Sequence, residues 1–364
     1  MPKPSCRTLS ALTALSVVSV VSQLSAAAPI GDPLQRPALP SARAATSMMT
    51  AVTRAGDKLV AVGERGLILV SADGGSQWTQ AKVPVSVLLT GVRFATPLRG
   101  WAVGHSGVVL STSDGGMTWA LQLDGVRVAE IMRAAADKAK GDPAQIERLR
   151  VDADRLVREG ADKPFLDLDV ESERVVTVIG AFGLALRSED GGASWQSWSD
   201  RIPNAGGSHL YSIGRKGDTV VIAGEQGIAC RSSDHGEDFI AKAIPAKTSN
   251  FGLVVVSEHH WMVYGLRGKA FVSEDGGDSW QSVSIDESAS LTAGLRREDG
   301  SIVLASQAGA LFVSTDGGHA FKKLAVPNPS PIIGIAEAPD GRLVTAGVRG
   351  VARIEVPADD PRGK

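Results

Sequence analysis

Residues 265–280 read GLRGKAFVSEDGGDSW: a Gly-x-x-Gly turn, a short apolar run, and the sequence Ser-x-Asp-Gly-Gly-x-x-Trp. The same order recurs along the chain. The second glycine of the turn falls at Gly66, Gly107, Gly183, Gly227, Gly268, Gly309 and Gly350. The intervals between these glycines are 41, 76, 44, 41, 41 and 41 residues. Seven turns at one dominant period predict seven repeated structural units.

The second unit illustrates what each unit contains. Apolar, β-branched runs at 90–95, 101–103, 108–111 and 118–121 predict four short strands. Four strands in a period of about 41 residues are typical of one propeller blade. We therefore predict an all-β fold, a seven-bladed β-propeller over residues 45–357.

The Ser-x-Asp-Gly-Gly-x-x-Trp segments, here called Asp boxes, predict tight turns. The aspartate can accept hydrogen bonds from N–H groups of its own turn, glycines tolerate a positive φ, and the closing Trp or Phe can pack between blades. A calcium loop would need alternating carboxylates, which these segments lack. The box aspartates are Asp73, Asp114, Asp190, Asp234, Asp275 and Asp316, and Asp234 belongs to a degenerate copy.

The chain has 364 residues, 43% of them hydrophobic, and a formal net charge of −2. Its apolar content is sufficient for a large core, and no basic excess indicates a nucleic-acid partner. Residues 1–28 resemble a cleaved signal peptide, with an uncleaved anchor as the alternative. We expect a periplasmic or secreted monomer without a tight lipid anchor. Once Cys6 is removed, Cys230 has no partner for an internal disulfide and is expected to pack inside a blade.

The seventh unit lacks an Asp box and a fourth strand, and the chain ends in a polar tail at 358–364. An open ring would leave strand edges unpaired. We predict that the N-terminal segment 29–44 completes blade 7, with residues 34–39 as the missing strand. Pro37 and Pro40 are compatible with an outermost strand.

The long interval contains 35 additional residues, within the segment 121–165. Ala, Glu, Arg and Lys dominate there, and apolar residues recur at helical spacing. The pattern predicts a helical hairpin, with helices at 126–140 and 143–159, between blades 2 and 3. Strand order places the hairpin at the same end as the Gly-x-x-Gly turns and opposite the Asp boxes. Its apolar stripe is expected to pack either on the propeller or on a partner.

Catalytic signals are weak. A sialidase-like site needs an arginine cluster and a tyrosine nucleophile, and the chain has only Tyr211 and Tyr264. Residues 201–203 (Arg-Ile-Pro) resemble a sialidase motif but follow the third Asp box. No spacing singles out a pair of glycosidase carboxylates, and His259-His260 is a poor candidate for a metal site. We therefore expect no enzyme and no cofactor or metal, with a glycosidase or sialidase, or a plain carbohydrate- or peptide-binding propeller, as alternatives.

Three Gly-x-x-Gly turns place an arginine just before the second glycine, at Arg65, Arg267 and Arg349. If the ring closes, blades 7 and 1 are adjacent, so Arg65 and Arg349 should be neighbours. Arginine is well suited to binding carboxylates and protein surfaces. The alternative is that these are ordinary solvated turn residues.

The repeat Gly-x-x-Gly-x-x-x-x-Ser/Thr-x-Asp-Gly-Gly-x-x-Trp resembles that of the photosystem II stability and assembly factors, a family of seven-bladed propellers. The resemblance covers residues 45–355, and the helical insertion departs from the photosynthetic pattern. Residues 162–167 (DKPFLD) resemble secreted bacterial relatives that tend to be encoded beside membrane exporters. The resemblance implies a non-enzymatic protein that binds a membrane protein complex or transporter through arginines. By this resemblance the partner-binding residues are Arg65, Arg267 and Arg349, with Arg187 and Arg231 as further candidates.

Overall fold

The computed structural model describes residues 31–140 and 143–354, within which 27 strands form seven antiparallel sheets. The strands of the first three sheets are β1 Met49–Ala55, β2 Lys58–Gly63, β3 Ile68–Ser71, β4 Thr79–Gln80, β5 Leu89–Phe94, β6 Gly100–Gly104, β7 Val109–Thr112, β8 Ala120–Leu123, β9 Phe165–Val170, β10 Val176–Gly180, β11 Ala185–Ser188 and β12 Gln196–Ser197. The strands of the other four are β13 Leu210–Lys216, β14 Thr219–Gly224, β15 Ala229–Ser232, β16 Ile240–Ala241, β17 Asn250–Val255, β18 Trp261–Gly265, β19 Ala270–Ser273, β20 Gln281–Val283, β21 Leu291–Arg296, β22 Ile302–Ser306, β23 Leu311–Ser314, β24 Lys322–Leu324, β25 Ile332–Glu337, β26 Leu343–Gly347 and β27 Gly350–Ile354.

Each sheet is one blade, with its strands in sequence order from the innermost outward. The innermost strands of neighbouring blades contact each other around a closed ring, in which β1 contacts both β5 and β25. The seven-bladed propeller predicted from the repeats is therefore confirmed. The four strands predicted in the second unit are present as β5 to β8, with bounds that differ by at most two residues.

The second strand of each blade forms the core. Apart from the first residue of β2, every residue of these seven strands is buried. Both faces of the strand are covered because each blade packs against two neighbours, so these segments are nearly continuous apolar runs. Cys230 lies buried in the third strand of blade 4, and burial raises its pKa to about 12.

The Asp boxes fix the turns between third and fourth strands. In the box of blade 5, the carboxylate of Asp275 accepts hydrogen bonds from the amides of Asp278 and Ser279 at 3.1 and 2.9 Å. The Ser273 hydroxyl donates to Asp275 and accepts from the amide of Gly277, which has a φ of 85°. Equivalent bonds from backbone N–H groups reach the carboxylates of the other boxes, Asp73, Asp114, Asp190, Asp234 and Asp316.

Because of these hydrogen bonds, we expect the free energy of unfolding to decrease at acidic pH. Donation from the Ser279 hydroxyl and amide lowers the pKa of Asp275 from 3.8 to about 2. A carboxyl group with a depressed folded pKa stabilises the protein above its unfolded pKa, and this contribution is lost as the pH falls through the folded value. We expect unfolding free energies from urea melts to fall between about pH 4 and pH 2. Asp275→Asn should flatten that fall, and an unchanged slope would contradict the assignment.

The N-terminal segment predicted to complete blade 7 lies elsewhere. The amide of Ala38 donates to the carbonyl of Val83 at 3.0 Å, and the amide of Ser86 donates to the carbonyl of Pro33 at 2.8 Å. Both partners belong to the link between blades 1 and 2, and apolar side chains of the segment pack against the buried cluster between those blades. The segment therefore packs on the outside of blade 1, along its link to blade 2.

Blade 7 accordingly keeps three strands among the described residues, β25 to β27. The physical reason lies in the prolines of the segment, Pro33, Pro37 and Pro40, which leave it few N–H donors for a strand ladder. Its leucine and alanine side chains gain more by covering an apolar cluster than by extending a sheet edge. The predicted signal peptide and polar tail lie outside the described residues.

Side-chain packing joins blades 7 and 1. Leu59 and Leu69 of blade 1 share one buried cluster with Val344 and Ala346 of blade 7. Trp78, which closes the first Asp box, packs against the same cluster. In the described part of the chain the ring therefore closes through an apolar interface of the kind that joins the other blades.

The predicted hairpin is present as α1 (Gly125–Lys138) and α2 (Pro143–Glu159). Asp124 caps α1, since its carboxylate accepts a hydrogen bond from the amide of Arg127 at 2.9 Å. Arg133 of α1 forms an ion pair with Asp154 of α2. Asp142 directly precedes Pro143 in the sequence, which predicts it as the N-cap of α2, and it lies outside the described residues.

The hairpin packs on its own propeller. Helix α1 contacts the turn His105–Gly107 of blade 2, so the hairpin and the Gly-x-x-Gly turns share one end. Val128 and Leu156 join a buried cluster with Trp101 and Phe165 of blades 2 and 3. Of the two alternatives for the apolar stripe, the structure therefore favours burial on the propeller.

Candidate functional site

The end of the propeller that carries the turns between second and third strands is here called the turn face. In five blades the residue before the second glycine of this turn has a side chain and yet a positive φ. For a residue with a Cβ, this conformation costs about 1–2 kcal/mol. Strained backbone conformations cluster at functional sites, so the repeated positive φ makes the turn face a candidate functional surface. The residues are Arg65 (φ 53°), Ser106 (59°), Phe182 (57°), Gln226 (55°) and Arg267 (56°).

The three turn arginines proposed from sequence, Arg65, Arg267 and Arg349, all lie exposed on the turn face. Within the described residues none of them takes part in an ion pair or a side-chain hydrogen bond. Arg65 and Arg349 belong to the adjacent blades 1 and 7, whereas Arg267 belongs to blade 5. The ring therefore places two of the three on adjacent blades and the third on a separate blade.

A further exposed arginine, Arg43, lies at the same seam between blades 7 and 1. It precedes a short 3-10 turn whose Ala45 carbonyl approaches Gly350 so closely that an added Cβ would be 1.9 Å from the oxygen. Arg43, Arg65 and Arg349 are here called the seam arginines. Sequence reasoning missed Arg43 because it lies outside the repeat, and its place depends on the path of the N-terminal segment.

The mouth of the axial channel opens on the turn face. Every innermost strand has a register shift at this end, which turns its second residue towards the mouth. In three blades this residue is a threonine whose hydroxyl donates to a carbonyl of the next blade at 2.5–2.7 Å, which ties neighbouring blades together. The seven residues are Thr50, Thr90, Leu166, Tyr211, Phe251, Thr292 and Ile333.

Aromatic side chains follow one side of this mouth. The ring centroids of Phe182 and His209 are 4.7 Å apart, those of His209 and Tyr211 6.1 Å, and those of Tyr211 and Phe251 5.4 Å, all edge to face. The Phe182 side chain is 45% exposed, and its amide donates to Nδ1 of His209 at 2.9 Å. These four residues, the aromatic row, give the turn face an apolar contact surface that sequence analysis did not identify.

Arg187 and Arg231, the further candidates, lie at the other end beside the Asp boxes. Arg187 is only 5% exposed, forms an ion pair with Glu171 at 3.4 Å and covers the ring of Trp198. Arg231 is partly buried over the ring of Trp261. Arg187 is therefore unavailable to a partner, which corrects the expectation. The sequence of a third strand does not reveal which of its side chains the next blade covers.

The sialidase-like tripeptide Arg201-Ile202-Pro203 lines a groove between α2 and the link after blade 3, not the axial channel. Arg201 forms an ion pair with Glu237 across the blade interface. The tripeptide thus joins elements of the fold and is not placed among the residues that line the channel.

A glycosidase needs two carboxylates that face each other across its site. Every carboxylate that lines the axial channel already has an arginine partner, in the pairs Arg54–Glu298, Arg93–Asp167 and Arg297–Glu337. In the described ranges, no group of three or more His, Cys, Asp or Glu side chains is arranged to hold a metal ion. No helix in those ranges is long and apolar enough to cross a membrane.

Comparisons with known proteins agree with the geometry. The family model described as "Photosynthesis system II assembly factor YCF48" matches residues 70–132 and 147–323, and leaves out the tip of the helical hairpin. The "Photosystem II assembly lipoprotein Ycf48" of Synechococcus sp. (strain CC9902) is 26% identical over 132 residues, 35% of this chain and 39% of the relative. The aligned part thus spans about two fifths of that relative.

Solved structures show the same fold at low identity. "YCF48 bound to D1 peptide" matches with a TM-score of 0.62 and 18% identity, over 86% of this chain and 94% of the other. "YCF48 from Cyanidioschyzon merolae" matches with a TM-score of 0.60 and 14% identity, over 86% and 97%. The WD40 propeller of Doa1 matches with a TM-score of 0.62 and 12% identity, over 91% and 99%. Because the family model covers more than half of the chain, the protein belongs to the Ycf48 family of photosystem II assembly factors.

Proposed function

We propose that this protein is an extracytoplasmic, monomeric and non-enzymatic assembly factor that binds an exposed segment of a membrane protein on its turn face. The observation that carries the proposal is the group of seam arginines, which are exposed and have no ion pair among the described residues. Family membership supports it, since one relative has been solved with a D1 peptide bound. The expected signal peptide supports the extracytoplasmic location.

The two sides of the channel mouth suggest what the partner segment contains. The seam arginines of blades 7 and 1 offer planar guanidinium groups, which bind carboxylates with two parallel hydrogen bonds. The aromatic row of blades 3 to 5 offers apolar surface. The partner segment is therefore extended, with acidic groups at one end and apolar side chains at the other.

The hairpin is the surface by which the choice of partner would differ between this protein and other members of the family. Its tip falls outside the family match, and its helices lie on the turn face beside the aromatic row. An exporter or another membrane complex of a secreted bacterial subgroup would meet this added surface, whereas a photosystem partner would not require it.

We expect the triple variant Arg43→Ala/Arg65→Ala/Arg349→Ala to recover less than about one tenth of the membrane partner in a pull-down from host membranes. Hydrogen bonds to charged groups contribute on the order of 1.5–3 kcal/mol each, so the loss of several lowers affinity by more than tenfold. Because these side chains make no other contacts of this kind, the melting temperature should stay unchanged.

The matched control removes three exposed cations at the opposite end of the propeller, as Lys216→Ala/Lys322→Ala/Arg342→Ala. It changes the net charge by the same amount and should leave recovery at the wild-type level. If the seam variant recovered as much partner as this control, the seam would not be the binding site.

A further inference from the structure

The axial channel encloses a cavity of about 690 Å³, lined by residues of all seven innermost strands. The third residue of these strands is small in six blades and leaves the channel open along its axis. Blade 3 is the exception, because Asp167 occupies this position. The six small residues are Ala51, Gly91, Ser212, Gly252, Ala293 and Gly334.

Asp167 holds an arginine inside the channel. Nη2 of Arg93 lies 3.2 Å from the Asp167 carboxylate and 3.3 Å from the carbonyl oxygen of Ile213. The Asp167 carboxylate also accepts from the amide of Ile213 at 3.0 Å. All of the hydrogen bonds of Arg93 use Nη2, so within the described residues Nε and Nη1 remain free donors. The side chain is 42% exposed to the channel space.

Tyr264 reaches the channel from the second strand of blade 5. Its hydroxyl passes between the innermost strands of blades 5 and 6, where an alanine Cβ at Gly252 would lie 2.1 Å from the oxygen. Only 4% of the residue is exposed, and in the described part of the chain its hydroxyl has no hydrogen-bond partner. Burial raises the pKa of Tyr264, and the carboxylate of Asp167 adds to the shift. The Tyr264 side chain lines the same cavity as Arg93 and Asp167.

The charges of the lining favour an anionic ligand. Four arginines, Arg54, Arg93, Arg215 and Arg296, line the cavity with three carboxylates, and each of the carboxylates is already in an ion pair. The Tyr264 hydroxyl and the Nε and Nη1 atoms of Arg93 remain in the channel lining as donors without a protein acceptor among the described residues. An anionic ligand in the channel would accept hydrogen bonds from these donors in place of solvent, and such charge-assisted hydrogen bonds are stronger than neutral ones.

We propose that the axial channel binds a small organic carboxylate with an apolar body. The carboxylate accepts hydrogen bonds from the Arg93 guanidinium and the Tyr264 hydroxyl. The apolar body points towards the turn face, where Tyr211, Phe251 and Ile333 line the mouth. This site is separate from the seam arginines and does not depend on the proposed partner.

The test is a titration of the full chain, labelled with ¹³C on its tyrosine rings, with phenylacetate. The sequence has only two tyrosines, so two ring signals are expected, and Tyr264→Phe assigns them. Phenylacetate should shift the Tyr264 signal with a dissociation constant on the order of 1 mM or lower. Phenylacetamide, which has the same shape without the charge, should cause no shift at that concentration.

Tyr264→Phe should weaken phenylacetate binding, measured by calorimetry, about tenfold or more, because a hydrogen bond to a charged group is lost. The folded protein loses no internal hydrogen bond, so its melting temperature should not fall. The control variant, Arg150→Ala, removes an exposed donor of α2 that does not line the channel and should bind as the wild type does. The proposal is overturned if phenylacetate does not bind, if the acid and the amide bind equally, or if Tyr264→Phe binds like wild type.

Discussion

Asp169→Ala is expected to lower the free energy of unfolding by about 3–5 kcal/mol. Asp169 is 6% exposed and accepts a hydrogen bond from Nε of Arg215 at 2.7 Å. Nη1 and Nη2 of Arg215 make no hydrogen bond in the described residues, although the Glu171 carboxylate lies 3.1 Å from Nη2. The substitution would therefore leave a nearly buried cation without its main acceptor.

This pair belongs to a network that joins blades 3 and 4. Glu171 of blade 3 also lies 3.4 Å from Nη2 of Arg187 and 3.0 Å from Nδ1 of His235, which is part of the Asp box of blade 4. Because three partners share Glu171, it cannot fully replace Asp169 as the acceptor for Arg215. The network explains why Arg187 is a structural residue of the blade interface.

Urea unfolding of the single variant and of Asp169→Ala/Arg215→Met measures this effect. A buried ion pair can often be replaced by apolar side chains at little cost, whereas removal of one partner is strongly destabilising. The double variant should therefore recover most of the stability lost by the single one. A loss below about 1 kcal/mol for Asp169→Ala, the size of a surface ion pair, would show that the pair is solvated.

Gly350→Ala should cost about 3 kcal/mol or more and should also weaken partner binding. Gly350 has a φ of 94°, and an added Cβ would lie 1.9 Å from the Ala45 carbonyl oxygen and 2.7 Å from Cα of Thr46. Both neighbours are backbone atoms, so the short turn after Arg43 must move. Left-handed strain costs about 1–2 kcal/mol and forced overpacking about 1–3 kcal/mol.

Gly300→Ala separates the strain from the clash. Gly300 has a φ of 87°, but the nearest heavy atom to an added Cβ is a terminal nitrogen of Arg296, 3.7 Å away. This variant should cost only about 1–2 kcal/mol and leave partner binding unchanged. Equal losses of stability in the two variants would mean that the N-terminal turn does not pack on blade 7 as described.

The features that the sequence predicted correctly are periodic. Blade number follows from the spacing of glycines such as Gly66 and Gly107, and the hairpin follows from the long interval and its helical pattern. The residues of a single segment are sufficient to predict these features. Glycines mark a turn that needs a positive φ, and the spacing of apolar residues marks a strand or a helix.

The features that were missed depend on which segments meet in space. The need to close the ring predicts the N-terminal segment on blade 7, but its prolines and apolar side chains place it on blade 1. Arg43 is exposed at the seam and Arg187 covers the ring of Trp198, and both placements depend on segments distant in sequence. Tyr264 reaches the channel only because glycines stand opposite it on two other strands.

The central claim, that the turn face binds the partner, is tested most directly by photocrosslinking in host cells. A photoreactive residue replaces Val348, which is 44% exposed beside Arg349 on the turn face, or Gln77, which is exposed in an Asp box at the opposite end. We predict an adduct with a membrane protein from position 348, its loss when Arg43 and Arg65 are changed to alanine, and no adduct from position 77. An adduct from position 77 but not from position 348 would contradict the account.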